Sequence, residues 1–310
     1  MDMKKVLFLS IIVLLVFSAC EKDIIIDIPP SDPKLVIDAR LAKDQVIEVS
    51  VGKSRHILST VNRQVNSQEN YVVKDAIPIV YENDTAIDTL VYVPSEYKYK
   101  SLLNKTIQAG YSYSIKVNAP GFKEVKSLTV VPSQSEIAEI NRVKKARKNA
   151  DGVYFDEITV KMDDPAESNF YLFRFYRSTP VGSYKYPIDC IRSADKDLDG
   201  GGNSDPFEGD NCLDGNNLLM NDKNFNGRRK QIKFFIQSGN LSEDFYNGRI
   251  YRPYLRVYRL TEDEYRFLRS FRTYDNTSDN PFAEPVNVYS NINNGYGIFS
   301  AYTVAVDTLQ

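Results

Sequence analysis

The sequence predicts an all-β protein, mainly strand with one packed helix, and three observations carry that expectation. Short segments alternate apolar and polar residues with period two, the spacing of half-buried strands. The residue types that suit a pleated surface are abundant, with 21 Tyr and 16 Phe among 310 residues. One stretch near 261–274 joins a helix start signal to helical spacing.

The chain opens with a leader. Lys4 and Lys5 precede an apolar run from Val6 to Phe17, which closes on Ser18, Ala19 and Cys20. A basic start, a short apolar stretch and a small residue before cysteine form a signal peptide ending in a lipobox. The run of about a dozen apolar residues falls short of the roughly 20 that span a bilayer as a helix. Residues 1–19 are therefore expected to be removed, with Cys20 acylated by palmitate-type chains. Several acyl chains on one cysteine hold a protein on its membrane, so residues 20–32 read as a lipidated tether.

About 290 residues remain, enough for one large domain or two ordinary ones. Strand patterns occupy Lys34–Asp38, Val46–Val51, Ile77–Tyr81, Tyr111–Val117 and Lys126–Val131. Turn signals at Glu82-Asn83-Asp84, Gln108-Ala109-Gly110 and Ala119-Pro120-Gly121 separate them. Short strands at this spacing predict an immunoglobulin-like sandwich over 33–132. The polar stretch from Ser54 to Tyr71 reads as a long loop, and Val131-Pro132-Ser133 as the exit from the domain.

A second, β-rich domain is expected over 133–310, with strands near Glu157–Met162, Phe170–Tyr176, Lys230–Ile236, Tyr254–Arg259 and Phe299–Val306. The basic run Lys144, Lys145, Arg147, Lys148 lacks interleaved aromatics, so it reads as a solvated linker or edge. Phe170, Tyr171, Phe173, Phe175 and Tyr176 alternate imperfectly, as a strand buried on both faces would. Thr261-Glu262-Asp263-Glu264 is a capping box. Behind it Tyr265, Leu268 and Phe271, with Phe267 alongside, give an apolar face to pack on the sheet. Arg266, Arg269 and Arg272 read as exposed helix charges.

Charge is balanced, 39 Lys plus Arg against 41 Asp plus Glu, so no basic excess exists to neutralise nucleic-acid phosphates. Only three cysteines occur. With Cys20 consumed by lipid, Cys190 and Cys212 are expected to pair in an oxidising compartment, the alternative being two buried thiols. Between them Asp195-Lys196-Asp197-Leu198-Asp199-Gly200 repeats carboxylates at alternate positions and turns at glycine, like the first half of a Ca2+ loop. Asn203 and Asp205 are candidates to complete the shell, with Glu208 or Asp210 as further donors. Pro206 stands where the bidentate Glu belongs, so the competing reading is a solvated acidic loop. Catalytic signatures are missing. The single histidine, His56, sits in a polar loop, no Gly-x-Ser-x-Gly elbow occurs, and the ligands of a hydrolytic zinc site are lacking.

The stretch Leu260–Tyr265, then Asn280-Pro281-Phe282-Ala283-Glu284-Pro285-Val286, then Ser290–Phe299, resembles a family of Bacteroidota lipoproteins, domain of unknown function 4249. Cys20 through Ile37, ending in Pro33-Lys34-Leu35-Val36-Ile37, is similar to the family's start. The resemblance implies a two-part β protein, in a family with no enzymatic activity or cofactor established. It also implies a neighbourhood of TonB-dependent outer-membrane transporters and a noncatalytic part as accessory or capture subunit. Glu21-Lys22-Asp23 resembles part of a surface-export signal, which favours the outer membrane and, beyond it, the cell surface. The alternatives are a surface adhesion or structural module and, behind it, a hydrolase. Asn291–Gly297 reads as structural, since Asn and Gly tolerate turn conformations.

Overall fold

The computed structural model describes residues 32–54, 71–134, 136–177, 186–201, 205–207, 212–246, 248–277, 280, 283–284 and 286–310. The first eight strands are β1 (Leu35–Ala42), β2 (Glu48–Lys53), β3 (Ile77–Glu82), β4 (Thr85–Thr89), β5 (Val91–Val93), β6 (Lys98–Lys100), β7 (Ser112–Asn118) and β8 (Val125–Val130). They form two layers, β1-β2-β6-β5 and β4-β3-β7-β8. Taken as A, B, C, C′, D, E, F and G, these layers are ABED and C′CFG, the immunoglobulin-type arrangement. The β3–β4 hairpin turns on Asn83 and Asp84, both at positive φ, as a two-residue loop between twisted strands requires.

A tyrosine corner locks this sandwich. Tyr113, fully buried near the start of β7, accepts a hydrogen bond from the Gln108 amide at 3.0 Å, and donates one to Glu82. Burial and the Glu82 carboxylate push its hydroxyl up to about 12. Val49, Val80, Ile115 and Val117 fill the core, each at most 1% exposed.

The remaining strands are β9 (Glu139–Lys148), β10 (Tyr154–Asp163), β11 (Phe170–Arg177), β12 (Tyr186–Pro187), β13 (Cys190–Ile191), β14 (Leu213–Asp214), β15 (Leu218–Asn221), β16 (Arg229–Gln237), β17 (Asp244–Tyr246), β18 (Arg249–Tyr251), β19 (Tyr254–Leu260) and β20 (Tyr296–Thr308). Helix α1 (Glu262–Thr277) separates the last two. A three-stranded sheet, β16-β10-β9, packs through Ile158, Val160 and Phe234 on Phe173, Phe175 and Val257 of a β11-β19-β20 sheet. The opposite face of that sheet, with Leu172, Tyr258 and Leu260, is covered by Tyr265 and Leu268 of α1. β11 is thus buried on both faces, as its crowded aromatics predicted. The basic run is edge strand β9, its charged side chains exposed.

The two sandwiches share one strand. β20 runs parallel to β1 from Tyr296 to Tyr302, and antiparallel to β19 from Tyr302 to Thr308, so a single sheet continues through both halves. Phe299 and Ala301, with Ile292 just upstream, enter the core of the first sandwich. The strand run ends at β8, close to the expected exit at Pro132, yet the first sandwich is completed only by residues from the far end of the chain. Residues 33–310 accordingly form one compact unit.

A binding groove at the sandwich junction

The expected site residues resolve as follows. Cys190 and Cys212 form a disulfide, their Cα atoms 5.1 Å apart. Cys20, His56, Asn203, Glu208 and Asp210 lie outside the described residues. In the acidic loop the glycine turn is real, with Gly200 at φ +82°. Its carboxylates, however, disperse onto different partners. Asp195 and Asp197 converge on the Lys230 ammonium of β16, at 2.9 and 2.5 Å. Asp199 meets Arg269 of α1 at 2.8 Å, and Asp205 meets Arg147 of β9 at 2.7 Å. Among the described residues no group of three or more His, Cys, Asp or Glu gathers to hold a metal ion. Leu198, 2% exposed and bridged to Met220, anchors the loop to the second core.

The helix departs from its expected form in two ways. Thr261 Oγ1 does accept the Glu264 amide at 3.3 Å, but the Glu264 carboxylate does not return to the cap. It crosses to the sheet, accepting from Arg40 of β1 at 2.8 Å and from Ser300 of β20 at 2.6 Å. Buried at 3% exposure, it gains more from a cation and a hydroxyl than from one amide. Burial opposes charge on Arg40, but Glu264 and Asp38 outweigh it and raise the guanidinium's pKa. Phe271 is 47% exposed and stacks on Phe267 at 6.0 Å, because the helix runs past the sheet that Tyr265 and Leu268 cover.

Asn291 is a brace. Its amide nitrogen donates to Asp263 at 3.0 Å and to the Phe299 carbonyl at 2.8 Å, and its oxygen accepts the Phe299 amide at 3.0 Å. Gly297 stands at φ +105°, where a Cβ would lie 1.9 Å from the Ile37 carbonyl oxygen. No other residue permits β20 to approach β1 so closely.

Where the sandwiches meet, a groove of about 610 Å³ opens between the end of β8, the 167–170 segment, the end of β19 and the start of α1. Its floor is Arg259, 3% exposed, which donates to Ser133, to Asn169, and to Glu167 at 2.6 Å. Beneath it Asp222 accepts the Asn169 amide at 2.6 Å, while Asp164 accepts from Tyr171 at 2.6 Å and from the Gly227 amide at 2.9 Å. Burial and then Asp164 push the Tyr171 hydroxyl up; burial, with Asp164 nearby, raises Asp222. The Arg259 hydrogen bond pulls exposed Glu167 down. This network ties the ends of β10, β11, β15 and β19 of the second sandwich to one another and, through Ser133, to the segment that enters it, its donors and acceptors meeting one another. Sequence reading missed it, because Asp164, Asn169 and Asp222 sit at strand ends, where such residues ordinarily signal turns.

Fold and groove together define a two-sandwich β protein closed by a shared C-terminal strand. The chain belongs to the family described as Domain of unknown function (DUF4249), whose model matches residues 21–308. No curated protein matches. Among solved structures, a β-glucuronidase from Parabacteroides merdae is similar at 11% identity and a TM-score of 0.20, over 74% of this chain and 24% of that one. A protein described as membrane anchored from Corynebacterium diphtheriae gives 10% identity and a TM-score of 0.20, over 75% of this chain and 55% of that one. The chain thus spans a quarter to about half of those proteins, and likeness at this level carries no functional argument.

Proposed function

We propose that this protein is a noncatalytic lipoprotein of the outer membrane, anchored through Cys20, that serves as accessory or capture subunit beside a TonB-dependent nutrient transporter. The observation that carries the reading is the lipobox ending at Cys20 directly ahead of the family domain, whose match begins at residue 21. An anchor that close leaves almost the whole mature chain as a membrane-held body. The junction groove supports a binding role, as a concavity between two rigid layers is where ligands and partners are usually held.

Native protein solubilised from membranes should co-purify with a transporter of that class. Cys20→Ala should move it to the soluble fraction without changing its melting temperature. Retention of Cys20→Ala protein on the membrane would contradict the anchor. Recovery of anchored protein bound to a polymer or a second cell, with no transporter present, would favour the adhesion reading instead.

A further inference from the structure

Strand β8 ends its sheet, and its hydrogen-bonding pattern can be read residue by residue. Val131 donates to the Tyr111 carbonyl at 3.0 Å, and β7 and β8 pair in the register Tyr113↔Thr129 and Ile115↔Ser127. Odd-numbered residues of β8 therefore bond to β7, and even-numbered ones turn their N–H and C=O groups to the open side. Lys126 obeys this rule, exchanging backbone hydrogen bonds with Asn293 at 3.4 and 2.9 Å. Leu128 and Val130 come next on the same side, with no backbone partner there among the described residues. Their side chains are 56% and 54% exposed, and both residues line the junction groove.

An unpaired apolar edge is a template for another strand. Edge β9, by contrast, is guarded by Lys144, Arg147 and Lys148. The groove beside β8 also holds Thr129, 4% exposed, whose hydroxyl has no hydrogen-bond partner among the described residues. Glu167, Glu262 and Asp263 line it against the single guanidinium of Arg259, which leaves it acidic. Glu262 is the most available of these, its partner Arg266 being 3.9 Å away.

We propose that the β8 edge is a strand-addition site that captures an extended peptide segment of a partner protein, apolar at alternate positions and carrying a lysine or arginine. The peptide backbone pairs with Leu128 and Val130, its apolar side chains lie on those two residues, and its cation faces Glu262. Main-chain pairing supplies affinity and the flanking surface supplies selectivity, as in other strand-addition sites. This inference does not depend on the transporter reading.

The test uses the full mature chain and an acetylated, amidated Thr-Val-Thr-Val-Lys-Val-Thr peptide. Hydrogen exchange at residues 125–131 should slow on addition of peptide, while exchange in β9 stays unchanged. N-methylation of the peptide at the valines should weaken binding by about tenfold or more, the scale of one to two net hydrogen bonds. Leu128→Pro should do the same, because that N–H makes no bond within the sheet and its loss spares the β7 ladder. Glu262→Lys should reverse the preference between this peptide and its Glu-for-Lys analogue. Should Leu128→Pro fail to fold, the N-methylated peptide tests the same contact on wild-type protein. The proposal is overturned if millimolar peptide leaves 125–131 unprotected, if N-methylation has no effect, or if the edge instead mediates self-association that excludes peptide.

Discussion

The acidic loop around Asp195 and the β20 junction make opposite use of paired carboxylates. In the loop, Asp195 and Asp197 answer a lysine on the strand beside them, and a disulfide closes the same stretch of chain. At the junction, Glu264 joins residues 224 positions apart in sequence, and Asn291 and Gly297 let the last strand lie against the first. The loop is a local fastening; the junction closes the whole fold. The motif that stands out in sequence can therefore be the one the fold depends on least.

Gly297 should separate the two regions most sharply. Gly297→Val places a side chain on the Ile37 carbonyl in a left-handed conformation, and should cost about 4 kcal/mol or more in denaturant unfolding. Loss of less than about 1 kcal/mol would mean that β20 can shift freely. Cys190→Ser with Cys212→Ser should cost about 3 kcal/mol of local stability. Exchange in 186–201 and 212–221 should accelerate by about a hundredfold, while β20 keeps its protection. Equal acceleration in β20 would erase the distinction between the regions.

Glu264→Gln removes the charge facing Arg40. A fully buried pair broken this way costs about 3–5 kcal/mol, but the Arg40 side chain is 33% exposed, so about 2 kcal/mol is expected in a denaturant melt. The smallest effect is acid. Burial alone would raise Asp197, but Asn224 and Lys230 hold its carboxyl below its ordinary 3.8. Its contribution is present above that ordinary value and is lost as pH falls through the lower folded value. Asp222, raised by burial, has the reverse sign: its contribution is full below its ordinary value and fades as pH rises through the folded one. Exchange of residues 195–199 should therefore quicken below about pH 4, while that of residues 220–223 around Asp222 does not. Uniform acid loosening of both segments would contradict the assignment.

Much of the fold was legible because alternation reports burial directly. β1, β3, β7, β8, β10, β11, β16 and β19 follow the predicted segments, and the capping threonine marked the helix. Short strands escaped: β4, β5 and β6 are three to five residues long and mostly exposed or partly exposed, so no apolar period marks them. Strand β9 was hidden by its charge. The sharing of β20 left no local signal, since parallel pairing with a strand more than 250 residues away is a property of topology. For the site, the cysteine pair was readable by elimination. The destinations of the aspartates were not, because Lys230, Arg269 and Arg147 come from three separate elements.

The central claim is that β20 makes the two sandwiches one cooperative body, and calorimetry of the intact chain tests it most directly. A single endotherm is predicted, with calorimetric enthalpy equal to the van't Hoff enthalpy. Two separable transitions, one attributable to residues 33–132, would show that the first sandwich stands without the last strand and would contradict the account.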